Sequence, residues 1–260
     1  MNYWKKEIDN ISQWMRAYLK NSGCNGYVLG CSGGLDSSIC LSILKRSIPA
    51  ENIKAIALPC NSNKDSLIDA QKLANNLRIK LEVINLENSF NTIVKNLKSI
   101  NKNEEISPLV KGNISARLRM VQLYSIANQY NYLVLGTSNK SEILCGYGTK
   151  YGDLAIDCDI IGSYYKTEVY KMAEQMPEIP DSIINKKPSA DLWENQTDEQ
   201  ELGMPYSQLD KVIPVCLQLK DWMPCYTDLY KITEEQFNKV KKMIIKAEHK
   251  NNLPHRYERT

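Results

Sequence analysis

The chain has 260 residues, of which 43% are hydrophobic and 24% charged, with a net charge of +3. These proportions fit a globular protein and exclude a disordered one. So small a net charge demands neither a nucleic acid nor a membrane surface as partner. No apolar run approaches the roughly 18 residues that cross a bilayer. The eight cysteines include no CxxC pair, and the N-terminus is amphipathic rather than a signal peptide. They read as thiols in a reducing cytoplasm. With His249 and His255 as the two histidines, a His-based zinc site or catalytic triad is poorly supplied.

Trp4, Ile8, Ile11, Met15 and Tyr18 fall on one helical face and predict a helix over 4–19. Tyr27–Cys31 reads as a short buried strand, broken by Ser32-Gly33-Gly34. A helical pattern resumes over 36–46 and ends before Pro49. The unit recurs, with a strand over 53–58, a helix over 64–78 and a strand over 81–84. Helices around 88–99 and 112–130, a strand over 132–136 and a short fifth strand at Ile160-Ile161 follow. This alternation predicts an α/β fold, with a doubly wound, mostly parallel five-stranded sheet and helices on both faces. Residues 146–163 and 186–204 have no period and read as long loops, and a helix near 233–248 lies in the tail. No linker divides the chain, so residues 1–260 read as one domain.

The strongest local signal is Gly30-Cys31-Ser32-Gly33-Gly34-Leu35-Asp36-Ser37-Ser38, between an apolar strand and an apolar helix. In an open parallel sheet, ligands bind outside the carboxyl ends of the strands. Adjacent glycines let the backbone approach an anion, and the helix start offers unpaired N–H groups with a partial charge of about +0.5. Ser32, Ser37 and Ser38 add hydroxyls. Together these make a pyrophosphate cradle. Neither a Walker A lysine nor GxGxxG is present. Without a fixed cation a metal is the natural neutraliser, and Asp36 would repel phosphate unless it held that metal. Mg²⁺ fits such a site.

Ser-Gly-Gly-x-Asp-Ser after a strand resembles the pyrophosphate loop of N-type ATP pyrophosphatases, which share an adenine nucleotide alpha hydrolase-like fold. Further segments are similar to those of NAD synthetases: Gly112-Asn113-Ile114-Ser115-Ala116-Arg117-Leu118-Arg119-Met120, Gly136-Thr137 through Glu142, and Thr149-Lys150-Tyr151-Gly152-Asp153. Pro188-Ser189-Ala190-Asp191-Leu192, Asp198-Glu199-Gln200-Glu201-Leu202-Gly203 and His249-Lys250 continue the match in family order. Gly148 stands where many relatives have an aromatic, and Ser189 where Thr is common. About 25 residues precede the first strand, too few for a glutaminase domain, so the resemblance implies the ammonia-dependent form.

The resemblance implies an ATP-driven ligase. Deamido-NAD is adenylated with release of pyrophosphate, and ammonia then gives NAD and AMP. It assigns Gly30, Cys31, Ser32, Gly33, Gly34, Leu35, Asp36, Ser37, Thr137, Lys166 and Ser189 to ATP, and Asp36 and Glu142 to Mg²⁺. It assigns Arg119, Lys150, Asp157, His249 and Lys250 to deamido-NAD. Asp153 is the candidate for handling the ammonia proton, and Tyr124 could stack on the nicotinate ring or pack in the core. Standing alone, Lys166 reads as an exposed residue at a helix start. The 146–157 and 186–204 segments would be lids that keep water from the adenylate. The family implies a homodimer, with the 112–130 helix as its face. The competing reading is an N-type enzyme modifying tRNA, for which a net charge of +3 gives little support.

Overall fold

A computed structural model describes residues 2–60, 64–100, 105–189, 197–254 and 256–257. Its centre is strand β1 (Gly26–Gly30), with β2 (Ile53–Ala57) and β3 (Leu81–Val83) on one side. On the other side lie β4 (Tyr132–Gly136) and β5 (Cys158–Asp159), giving the order β3-β2-β1-β4-β5. All four pairings are parallel, with Val28 opposite both Lys54 and Val134. Side chains alternate along β1, so Tyr27 and Leu29 enter one core and Val28 the other. Burial on both faces explains why the central strands β1 and β4 are nearly continuous apolar runs.

One face is covered by α1 (Tyr3–Ser22), α2 (Leu35–Ser47), α3 (Lys64–Leu77) and α7 (Lys166–Ala173). The opposite face carries α4 (Glu87–Ile100) and α5 (Pro108–Tyr130). Chain direction across the sheet therefore reverses at β1, and the crevice between the carboxyl ends of β1 and β4 is the switch point where ligands bind in such folds. α5 begins four residues earlier than the apolar period suggests, because Ser107 accepts from the Val110 amide and Pro108 starts the helix.

A second cluster packs α6 (Lys140–Cys145), α10 (Tyr206–Gln218) and α12 (Glu234–Asn251) around Leu209, Ile213, Phe237 and Val240. Short helices α8 (Asp181–Ile184), α9 (Asp198–Leu202) and α11 (Cys225–Tyr230) complete the chain. Two expectations are corrected. The fifth strand is Cys158–Asp159 rather than Ile160-Ile161, whose side chains are apolar because they fill the core beyond the strand's end. The 186–204 stretch is not all loop, since α9 occupies 198–202, while residues 190–196 lie outside the described residues. The thiols of Cys31 and Cys40 are buried, as packing groups should be.

Leu29 is fully buried in the central strand. Leu29→Ala should cost about 2–5 kcal/mol, the range for an unfilled core cavity. A urea midpoint unchanged from the wild type would contradict this placement.

Candidate active site

A cleft of about 730 Å³ opens at the switch point. Its floor is the turn that leaves β1. Gly33 takes φ +75°, and a Cβ there would stand 2.0 Å from the Ser66 carbonyl oxygen, so the turn closes against α3 only with glycine. The Ser32 and Ser37 hydroxyls meet at 3.0 Å, and the Ser32 oxygen accepts from the Gly34 amide at 3.2 Å. α2 starts without a side-chain cap at Gly34. Its first turn, from Leu35 to Ser37, lines the cleft and presents its positive end there. Burial pushes the Cys31 thiol up to about 12, so this cysteine of the loop stays protonated.

Facing the loop is a framed charge cluster. Asn139, wholly buried, donates from its side-chain amide to Asp36 Oδ1 at 3.1 Å. It also forms a capping box with Glu142. Its side-chain oxygen accepts from the Glu142 amide at 3.0 Å, and its own amide donates to Glu142 Oε2 at 3.1 Å. One asparagine thus fixes both carboxylates. Lys166 is 3% exposed, not the surface residue its position alone suggests, and its ammonium pairs with Asp36. Its backbone amide donates to Ser141 Oγ at 3.0 Å, and that hydroxyl donates to Asp210 Oδ1 at 2.5 Å. Asp210 Oδ2 accepts from the Thr167 amide at 2.9 Å. The helical cluster therefore sets where Lys166 stands.

The electrostatics follow from enclosure. Removal from water, then the nearby Asp36, raise the Glu142 carboxyl well above the ordinary range against the pull of Lys166. Burial works against the Lys166 charge, but Asp36 and Glu142 outweigh it and keep the lysine protonated. Asp198, 3% exposed and also on the cleft wall, is raised by burial, partly offset by Lys166. Among the described residues no three His, Cys, Asp or Glu side chains converge as a metal centre. A divalent ion here would have two carboxylates, Asp36 and Glu142, with its remaining positions left for phosphate oxygens and water, the habit of Mg²⁺. A carboxylate whose charge is disfavoured suits an incoming cation.

The other wall is a loop pinned in three ways. Lys250 Nζ donates to the carbonyls of Gly146 and Gly148 at 2.7 and 2.8 Å. Thr149 Oγ1 donates to Asn113 Oδ1 on α5 at 2.8 Å. Asp153 is exposed as a residue, but its carboxylate folds inward and accepts from the Thr149 amide at 2.9 Å. Crowding there raises its pKa despite that hydrogen bond and Lys250. Burial lowers the Lys250 ammonium, and Asp153 opposes this. A Cβ on Gly148 would stand 2.8 Å from Asp153 Oδ2, so the departure from an aromatic there gives the carboxylate its room.

Besides these, the cleft wall includes Gly30, Ser32, Arg119, Thr137 and Ser189 from the sequence reading. Arg119 Nε donates to the Leu58 carbonyl at 3.1 Å. Gly33 lies behind the wall. Tyr124, Lys150, Asp157 and His249 also stand off it. Tyr124 donates to Asp157 Oδ1 at 3.1 Å, and Asp157 Oδ2 accepts from the Val134 amide at 2.7 Å. Lys150 donates to the His249 carbonyl, and the exposed His249 ring sits 2.8 Å from the Lys246 carbonyl. Sequence reasoning did not single out Asn139, Asp198 or Lys186. For Asn139 a signal existed, since Asn-x-x-Glu over 139–142 is a capping-box spacing.

Because the folded state holds Glu142 above its unfolded value, stability falls as pH rises from about 4.3, the ordinary value, toward the raised one. Without divalent ions, Glu142→Gln should melt higher than wild type at pH 8 and lose that lead toward pH 4. Scanning calorimetry across that range checks the sign, and a lower melting temperature at pH 8 would refute it.

The NAD synthase family model matches residues 7–254. The NH(3)-dependent NAD(+) synthetase of Syntrophomonas wolfei is 39% identical over 248 residues, 95% of this chain and 93% of that protein. Two solved structures superpose along the whole length. The NH3-dependent NAD synthetase from Campylobacter jejuni, in complex with the nitrate ion, gives a TM-score of 0.80 at 30% identity, with 99% of this chain and 100% of that one covered. The NMN synthetase from Francisella tularensis gives 0.85 at 28% identity, with 99% of each covered. With a family model matching residues 7–254 and a relative 39% identical over 95% of its length, the chain belongs to the NAD synthase family.

Proposed function

We propose that the protein forms NAD from deamido-NAD, ammonia and ATP through an adenylated carboxylate, releasing AMP and pyrophosphate. The observation that carries this reading is the meeting, in one cleft, of a lysine-free phosphate turn with Asp36, Glu142 and Lys166. ATP lies with its phosphates on residues 30–37 and near Lys166 and Ser189, and its nucleoside end near Thr137. Asp36 and Glu142 would hold Mg²⁺, which when bound would supply charge neutralisation for the leaving phosphates. Asn139 keeps those two carboxylates aimed without reorganisation, and the start of α2 stabilises phosphate charge with fixed dipoles. Arg119 pairs with a substrate anion. The raised carboxyl of Asp153 accepts a proton from the incoming nitrogen nucleophile, and Lys250 keeps its loop over the reacting carbon. The pinned 146–157 loop excludes water from the adenylate.

Of the deamido-NAD contacts in this reading, Arg119 and Lys250 line the cleft, while Tyr124, Lys150, Asp157 and His249 lie off its wall. The superposition on the NMN synthetase from Francisella tularensis favours a second acceptor of the same chemistry, the nicotinate mononucleotide. The two readings differ in one comparison, kcat/KM with each acid as substrate. Pyrophosphate release should require ATP, Mg²⁺, ammonium and one of these acids together. Asp36→Asn should lower kcat by about 100-fold or more, on the scale of losing a preorganised charge, with its fold retained by circular dichroism. Release that ignores both acids, or full turnover in the variant, refutes the reading.

We place the protein in the cytoplasm as a homodimer. Among the described residues no helix is long and apolar enough to cross a membrane. Ile93 and Ile100 on α4 and Val121 on α5 are 39–76% exposed, apolar side chains that a second copy would cover. Sedimentation equilibrium should give twice the chain mass, and Val121→Asp should shift it toward the monomer; a wild-type monomer at micromolar concentration would exclude the dimer.

A further inference from the structure

Lys166 is the lysine assigned to ATP, yet its charge faces two carboxylates, Asp36 and Glu142. The phosphate turn itself contains none. A triphosphate brought into this cleft therefore meets, at Lys166, a cation already matched by fixed anions, and its far end calls for a further one beside the turn.

The structure offers one on the opposite side of the turn. Gly33 is packed so closely on the first turn of α3 that its Cβ position lies 2.0 Å from the Ser66 carbonyl oxygen. The Ser66 side chain in turn accepts from Lys186 Nζ at 2.9 Å, and both Ser66 and Lys186 line the cleft. Lys186 thus stands next to the phosphate turn, one residue removed from Gly33. Among the described residues its nearest carboxylate oxygen, Asp69 Oδ2, is 3.7 Å away, an ion pair without a hydrogen bond. Asp69 is 6% exposed and shared, since Oδ1 accepts from Ser182 Oγ at 2.8 Å and lies 3.5 Å from Lys72. The Asp69–Ser182 bond ties the short helix before Lys186 to α3 and so fixes the height at which the lysine reaches the cleft.

We propose that Lys186 is a binding residue for the leaving pyrophosphate, exchanging the neutral Ser66 hydroxyl for a phosphate oxygen when ATP is bound and returning to it when pyrophosphate departs. A compact ammonium on a flexible stem suits this exchange, and a charged acceptor gives the stronger hydrogen bond. Lys166 then serves the reacting phosphate and Lys186 the outer two. Asp69 is a positioning residue, too distant and too shared to hold the lysine against phosphate. The proposal rests on the assignment of residues 30–37 to phosphate.

Calorimetric titration of the full chain with magnesium pyrophosphate and, separately, with AMP tests it. Lys186→Gln should weaken pyrophosphate by about tenfold or more, a charge-assisted hydrogen bond's worth, and leave AMP within about twofold. Lys186→Arg should recover most of the loss, and Lys72→Gln, which removes another cation from the same carboxylate, should change neither ligand. Steady-state kinetics of Lys186→Gln should show KM rising for ATP and not for ammonium. Pyrophosphate binding unchanged in Lys186→Gln, or both ligands weakened alike, overturns the role of Lys186. A wild-type chain that binds AMP but no pyrophosphate overturns the phosphate assignment of the turn as well.

Discussion

Glu142 and Lys166 stand where folding alone would favour neither charge. Taking an ionised group out of water costs several kcal/mol unless fixed partners repay it, and here the partners are one another, Asp36 and the amides of Asn139. The cluster is satisfied enough to persist and leaves Glu142 with a carboxylate the site disfavours. A divalent cation placed there would supply the positive charge that Glu142 lacks. The rest of the cleft is arranged around this centre: a turn that offers dipoles instead of a lysine, a helical cluster that holds Lys166 through Ser141 and Asp210, and a pinned loop opposite.

The sheet's role is to make that geometry rigid. β1 and β4 are buried on both faces, and their carboxyl ends deliver the phosphate turn and the Asn139 cap to adjacent positions. α2, ten of whose thirteen residues are buried, is held on all sides, so Asp36 on its first turn inherits the precision of the core. Sites carried on such elements are better defined than sites carried on loops. The dependence runs the other way at Gly33, where the close approach of α3 to the turn forbids any side chain.

Much of this was legible in the chain because periodicity reports burial. Strands β1 to β4 lie within a residue or so of their apolar runs, and for β1 and β4 the reason is that a doubly covered strand has no polar face to interrupt it. β5 was displaced because two bridged residues carry too little pattern, whereas Ile160 and Ile161 carry the apolar signal of the core. α10 was not anticipated, since Pro214 inside it reads as a stop. The glycine turn and Asp36 were legible as local chemistry, whereas Glu142 was singled out only through the family resemblance. The burial of Lys166 was not, because the groups that enclose it come from residues 36, 142 and 210, which no local window joins. Asn139 was readable as a helix cap but not as a bridge to Asp36, which is 103 residues away.

Charge balance also orders the reaction. Before nucleotide arrives, Lys166 neutralises Asp36, and Lys186 leans on a hydroxyl and a shared carboxylate. In the proposed reaction phosphate oxygens would compete for both ammonium groups, and ATP binding would loosen the contacts that hold them. Departure of pyrophosphate restores those contacts. The two lysines therefore act as counter-charges that move between protein and ligand rather than as permanent anchors. A permanently bound lysine inside the turn would grip ATP and pyrophosphate alike, and the leaving group would then be hard to release.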